Sequence, residues 1–374
     1  MNPELILKLT RFKEGADLQN ASFPGVIIKR VRLRNANLMG INLEGAALTS
    51  ADFRSADLTG ATLRNADLNG SNFQSAILHQ AVLRGANLID ASLQYTLLTE
   101  VDFRGARLDG VNFEGSDLRD ANFCGATLQE AQFEDVVFQG VAFRSAVLHD
   151  VQMENADLFG TDFFGADLTQ AVLQGSDLRE ANLCGAILYG VDMRKVFLRK
   201  ANLKYANMHS ARLARASLQE VDFQGADLRE ANLQDCDATN ANLVGVDLTD
   251  ASVQGITGLD FNGLKKMAGL YAENTRFESA ELTQANLQGA HLSRAGFRGA
   301  SLRGACLMGA VLKRADLSGA DLRGANLEKA DLRGANLQGA NLQGARCQGA
   351  RLEGANLQDS DLQGVRGMNI KEER

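Results

Sequence analysis

The sequence predicts an all-β solenoid: a four-sided β-helix of about 20 residues per coil, with five residues to each side. Three observations carry this. A small residue, a short polar residue and a leucine recur every five, plainly in Ala315-Asp316-Leu317-Ser318-Gly319, Ala320-Asp321-Leu322-Arg323-Gly324 and the next two fives. The centres of these fives run from Leu18 to Val253 without a slip, and 42 of the 48 are Leu or Phe. The phenylalanine centres of this tract, Phe138 excepted, lie ten residues or a multiple of ten apart.

The five-residue unit follows from extended-chain geometry. Alternate side chains of a strand point to the same side. The centre and the small residue two before it therefore both face inward, and the polar residue between them faces out. The last two residues turn the corner, where Gly, Asn and Asp tolerate positive φ. One large and one small residue per side fill a narrow interior, and each buried centre stabilises by roughly 1.5–3 kcal/mol before entropy is subtracted. The phenylalanines set the number of sides. A three-sided coil would scatter the rings over every side, whereas an even number keeps them on two, and four is the smallest even number that encloses a core. Phe103, Phe123, Phe143 and Phe163 are then expected in one column, about 4.8 Å apart.

The chain in order gives five segments. Residues 1–15 stand outside the repeat. Asn2 can cap a helix with Pro3 at its first position, and Leu5, Leu9 and Phe12 share one face, which suits a lid on the first coil; the alternative is a disordered tail. Residues 16–253 form the first repeat tract. The period breaks over 254–274, where Asp260 can cap a short helix carrying Phe261, Leu264 and Ala268. This segment is read as an inserted loop with a helical turn, or else as a hinge between two stacked solenoids. Centres resume at Phe277 and continue to Leu362, giving a second tract over 275–364 and about 16 coils in all. Residues 365–374 are a short polar tail.

This pattern resembles the pentapeptide-repeat family, written A(D/N)LXX, over roughly 18–253 and 275–364. The resemblance implies a right-handed quadrilateral β-helix; the hand comes from the family, not from the periodicity. Some members protect DNA gyrase by presenting a DNA-like acidic surface.

Composition narrows the function. Only Pro3 and Pro24 interrupt a chain that needs its backbone N–H groups for ladders. No apolar run approaches the length of a membrane span, and Met1–Lys13 lacks a cleavage site for secretion. The net charge of −7 divides into +2 over 277–374, from 13 basic and 11 acidic residues, and −9 before it. Neither part has a basic stripe that would track a nucleic acid. Five cysteines without CxxC spacing fit a reducing cytoplasm.

No catalytic or cofactor-binding constellation is expected, and no metal site. His79, His149, His209 and His291 are scattered, and the many aspartates occupy the polar repeat position, where they bond corner amides or face water. Threonines are too scattered for an ice-binding ladder. Two surface features remain. Apolar residues stand where polar ones are the rule: Ile77, Leu97, Val137 and Phe197 at outward positions, and Phe159 and Phe164 just after their centres, the last two expected close together near one corner. An exposed apolar patch marks a contact site unless it is scattered surface. The second feature is an acidic side: Asp67, Asp90, Asp109, Glu130, Asp150, Asp167, Asp227, Glu230, Asp247 and Asp250, interrupted by Arg107 and Arg229. The function expected is a non-enzymatic rod that binds an unidentified protein partner or a second copy of itself. The alternative is a DNA mimic that binds a type II topoisomerase.

Overall fold

The computed structural model describes residues 12–253, 256–257 and 269–368. The chain divides into two compact units, Met1–Ile187 and Leu188–Arg374. In the first unit sides pair in parallel with sides twenty residues on: Asp17 with Asn37, Ser22 with Asn42, Ile27 with Ala47 and Arg32 with Asp52. These four columns are the four sides of the coil, and the same twenty-residue pairing recurs in the second unit, as in Asp321 with Asn341 and Cys306 with Asn326.

Three backbone hydrogen bonds join each side to its neighbours. Leu38 N–H donates to Asp57 O at 2.7 Å, Asp57 N–H returns the bond to Ala36 O at 3.0 Å, and Gly40 N–H at the corner reaches Thr59 O at 2.8 Å. A fourth bond, such as Ala61 N–H to Leu58 O at 2.9 Å, closes the corner itself. The centre and the small residue are inside, as the alternation requires: Ala56, Leu58, Ala61 and Leu63 are fully buried. Phe103, Phe123, Phe143 and Phe163 form one stacked column with successive centroids 4.9, 5.1 and 5.2 Å apart. Phe113 and Phe133 stack on another side at 5.1 Å, and Phe113 meets Phe123 edge-on at 5.9 Å.

The last residue of each five is left-handed even where it is not glycine. Gly60 has φ +64°, but Tyr95, Glu180, Lys200 and Arg215 adopt the same conformation. A left-handed L-residue costs roughly 1–2 kcal/mol, and the inter-coil bond made from its N–H helps to hold it there. The polar residue of each side stabilises the same corner. Asp57 Oδ1 accepts the N–H of Thr59 at 2.9 Å, and Asp52 holds the guanidinium of Arg54 at 2.6 Å.

In the second unit Asp247 pairs with Tyr271 and Ser252 with Arg276. One coil there spans 24 residues instead of 20, and these two columns continue on its far side, Tyr271 pairing with His291 and Arg276 with Gly296. The expected N-terminal cap over 1–15 lies outside the described residues except for its last four, of which Phe12 packs its ring edge against Phe23 at 4.9 Å. The short helix expected after Asp260 also lies outside them.

Between coils that both lie in the first unit, the ladder parts over residues 133–140. Rungs connect residues 130 and 149, and again 143 and 162. Between them Asp135, Phe138 and Gly140 make no backbone bond to the next coil and Asp157 makes none back, while Phe133, Gln152 and Asp162 keep only the looser contacts of their bridges. Within the first unit Val137 and Asp157 are the one missing bridge of their column, while Gln132 keeps its looser pairing with Gln152. The cause is bulk. Phe133, Phe138 and Phe143 occupy three successive sides of one coil, with Val136 at a small position. Phe133 and Phe138 meet at 5.5 Å, tilted by 49°, instead of stacking. A cross-section elsewhere filled by Leu and Ala is overfilled here, and its coils spread.

Candidate protein-interaction site

The flat sides leave outward-facing residues with nothing above them but solvent and the neighbouring coil. Ile77 and Leu97 are bridge partners in consecutive coils, so their side chains adjoin; Ile77 is 39% exposed and Leu97 is half-buried. Asp117, clamped by Arg119, separates them from Val137, which is 47% exposed. Phe197 belongs to the second unit and is 50% exposed.

Phe159 and Phe164 do not share a corner. They open two successive turns, because residues five apart fall on successive sides. Each ring pairs with a cation instead of with the other ring. The Arg179 guanidinium lies 5.8 Å from the Phe159 centroid, and that of Arg144 lies 4.8 Å from Phe164 while also binding Asp162 at 3.0 Å. Both rings remain exposed. Tyr95, Tyr189 and Tyr205 escaped the sequence reading because they sit at corners, and Tyr271 because it is the outward residue of a side within the expected break. Tyr95 donates its hydroxyl to Glu114 at 2.6 Å, Tyr189 stacks on His209 at 5.4 Å, and Tyr271 on His291 at 4.5 Å. Tyrosine at a turn position of the five was the available signal.

The acidic residues are interleaved with partners. In the first unit the column runs Asp67, Asn87, Arg107, Thr127, Val147, Asp167. Asp67 accepts from Asn87 at 3.0 Å, and Asp109 from Thr127 at 2.9 Å. Asp167 meets His149 Nε2 at 2.8 Å. Burial raises its pKa, but the bonds from Thr169 and His149 outweigh this and hold the carboxyl below its usual value. In the second unit Arg229 grips Asp227 at 2.6 Å and approaches Asp247 at 3.8 Å, and Glu230 accepts from Ser210 at 3.0 Å. Asp90, Glu130, Asp150 and Asp250 lie at corners without a side-chain partner among the described residues. His79 bonds Thr99 at 2.7 Å. Among the described residues no three His, Cys, Asp or Glu side chains are grouped to hold a metal ion. No helix among them is long and apolar enough to cross a membrane.

The pentapeptide-repeat model matches in overlapping stretches, including 28–65, 36–74, 190–219, 216–255, 275–314, 310–346 and 335–366, and the related pentapeptide repeat region matches 56–133 and 108–183. The chain belongs to the pentapeptide-repeat family. Membership implies a right-handed β-helix solenoid, and the family is generally a non-enzymatic scaffold. Among solved structures the chain is similar to HetL, a pentapeptide-repeat protein involved in heterocyst differentiation regulation from the cyanobacterium Nostoc sp. strain PCC 7120. Identity is 25%, over 68% of this chain and 96% of that one, with a TM-score of 0.24. It is also similar to QnrB1, a plasmid-mediated fluoroquinolone resistance protein, at 20% identity over 54% of this chain and 88% of that one, with a TM-score of 0.22. A pentapeptide-repeat protein of the Arabidopsis thaliana thylakoid lumen is 29% identical over 35% of this chain and 71% of its own, with a TM-score of 0.14. No curated protein matches the sequence significantly.

Proposed function

We propose that this protein is a binding scaffold of about 16 coils, closed by an N-terminal helical cap and interrupted within the expected break over 254–274, whose described residues Thr257 and Tyr271 already belong to paired sides. It works in the cytoplasm and engages a protein partner or a second copy of the chain. One observation carries the reading. Phe159, Phe164 and Phe197 are 51, 41 and 50% exposed on a solenoid whose core already takes every repeat centre from Leu33 to Cys347 that the structure describes. An exposed ring on a rigid frame adds nothing to the core and offers large contact area at small entropic cost. The DNA-mimic alternative draws less support, because His149, Arg107 and Arg229 break the acidic side that it needs. The test is Phe159→Asp with Phe164→Asp. Association with a partner captured from native extract, or self-association in sedimentation, weakens while the circular-dichroism spectrum and melting midpoint hold. Unfolding would make the rings part of the core; unchanged association would make them incidental surface. A gyrase supercoiling assay decides the alternative, which falls if micromolar protein has no effect.

A further inference from the structure

Where the ladder parts, the coils of residues 132–140 and 152–160 enclose a cleft of about 740 Å³. Its size is in the range of built ligand sites, roughly 300–1,000 Å³. Phe133, Val136, Phe138 and Ala156 line its apolar wall. Val136 and Ala156, at repeat positions that are fully buried in most coils, are only partly buried here. Around them stand Glu134, Asp135, Glu154 and Asp157, with no Lys or Arg in the lining. Among the described residues none of these four carboxylates has an ion-pair partner, and Arg179 beside Asp157 is already held by Asp177.

The backbone adds a second requirement. In the coils on either side the corresponding amides are paired with the next coil, as Phe113 N–H is with Gln132 O, Leu118 N–H with Val137 O, and Leu158 N–H with Asp177 O. Among the described residues the N–H groups of Asp135 and Phe138 and the carbonyls that should receive them, on Glu154 and Asp157, have no backbone partner here, and Phe133 and Gln152 keep only the loose contact of their bridge. Backbone polar groups at the edge of an apolar space require partners. An extended chain supplies donors and acceptors at the matching spacing, which is how peptides add to exposed strand edges. Its side chains must answer four carboxylates while crossing aromatic rings. Lysine and arginine do both, laying their methylene stems on the rings and placing the cation at the rim.

We infer that this cleft binds an extended, lysine- or arginine-bearing segment of a partner protein. The inference rests on the scaffold function proposed above and deepens it by naming the chemistry of one contact.

The test uses the full chain and two short fluorescein-labelled peptides, one alternating Lys and Val, the other alternating Glu and Val. Fluorescence anisotropy at low salt should show binding of the Lys–Val peptide alone. Glu134→Gln with Glu154→Gln, both on the surface, should weaken it by about tenfold or more. Amide exchange supplies a readout that loose charge attraction would not move. The amides of Phe133, Asp135, Phe138 and Asp157 should exchange faster than those of Phe113 and Leu118 in the free protein, and slow when the Lys–Val peptide is added. Equal protection in the free protein overturns the cleft. Equal binding of the two peptides, or binding unaffected by the glutamine variants, overturns the charge selection. If the Lys–Val peptide does not bind but partner capture still depends on Phe159 and Phe164, the cleft falls and the scaffold stands. If the peptide binds and protects those amides but capture ignores those two rings, the exposed-ring reading falls and the cleft stands.

Discussion

Phe123→Ala tests the core directly. The ring is fully buried, stacked between Phe103 at 4.9 Å and Phe143 at 5.1 Å, and it meets Phe113 edge-on at 5.9 Å. Removing a buried Phe side chain costs about 3–5 kcal/mol, the larger values arising where the surroundings cannot collapse. Here they cannot collapse far, because Phe123 N–H is tied to Ala142 O at 2.8 Å and Phe103 N–H to Asn122 O at 2.8 Å. Each lost ring pair adds about 0.5–1.5 kcal/mol beyond burial, though the three share one ring and do not sum. The expected cost is therefore about 4–5 kcal/mol. Phe123→Leu, which restores most of the volume, should cost about 1–2 kcal/mol. Phe164→Ala, on the surface, should cost under about 0.5 kcal/mol. A solenoid opens regionally, so native-state amide exchange over residues 103–143 is the direct assay, with urea unfolding beside it. Equal losses for Phe123→Ala and Phe164→Ala would refute the inward column.

Three further outcomes are expected. Phe138→Leu should relieve the overfilled cross-section and close the ladder, so that Asp135 and Asp157 amides gain exchange protection without loss of melting midpoint. Burial pushes the Cys236 thiol up to about 12 and that of Cys347 to about 11; iodoacetamide at pH 8 should leave both unlabelled until urea unfolds their coils. The hydrogen bonds from Arg104 and Arg333 hold the carboxyls of Asp102 and Asp331 at about 2. A depressed carboxyl stabilises the fold above its unfolded value near about 4 and stops doing so as pH falls through the folded value. The melting midpoint should therefore drop between about pH 4 and pH 2, and by less in Asp102→Asn with Asp331→Asn.

What the sequence made legible was everything that repeats. The period of two within a side places Leu58 and Ala56 inside, and the ten-residue spacing of Phe103, Phe113, Phe123 and Phe133 leads to four sides and so to the column of Phe103, Phe123 and Phe143. The parting was not legible, because it is a sum. Val136, Phe133, Phe138 and Phe143 each suit their own position, and only the filled cross-section shows the excess. The placing of Phe159 and Phe164 at one corner failed on a count: five residues is one side, so rings five apart open different corners. The interruptions of the acidic side at Arg107 and Arg229 were legible, but the pairing of Asp167 with His149 was not, because it depends on how successive coils stack. Arg229 and His149 each lie two positions or one coil from a carboxylate, close enough to bind it.

The coil that spends 24 residues between Asp247 and Tyr271 shows where this architecture keeps its books. Register is checked only at the paired sides, and the two columns that pair across this coil resume in phase despite its four extra residues. Whole segments can therefore be grafted at a corner, by natural insertion or by an engineer, while the flanking coils stay in phase. A single residue gained within a side has no such freedom, since it would turn every inward side chain beyond it outward.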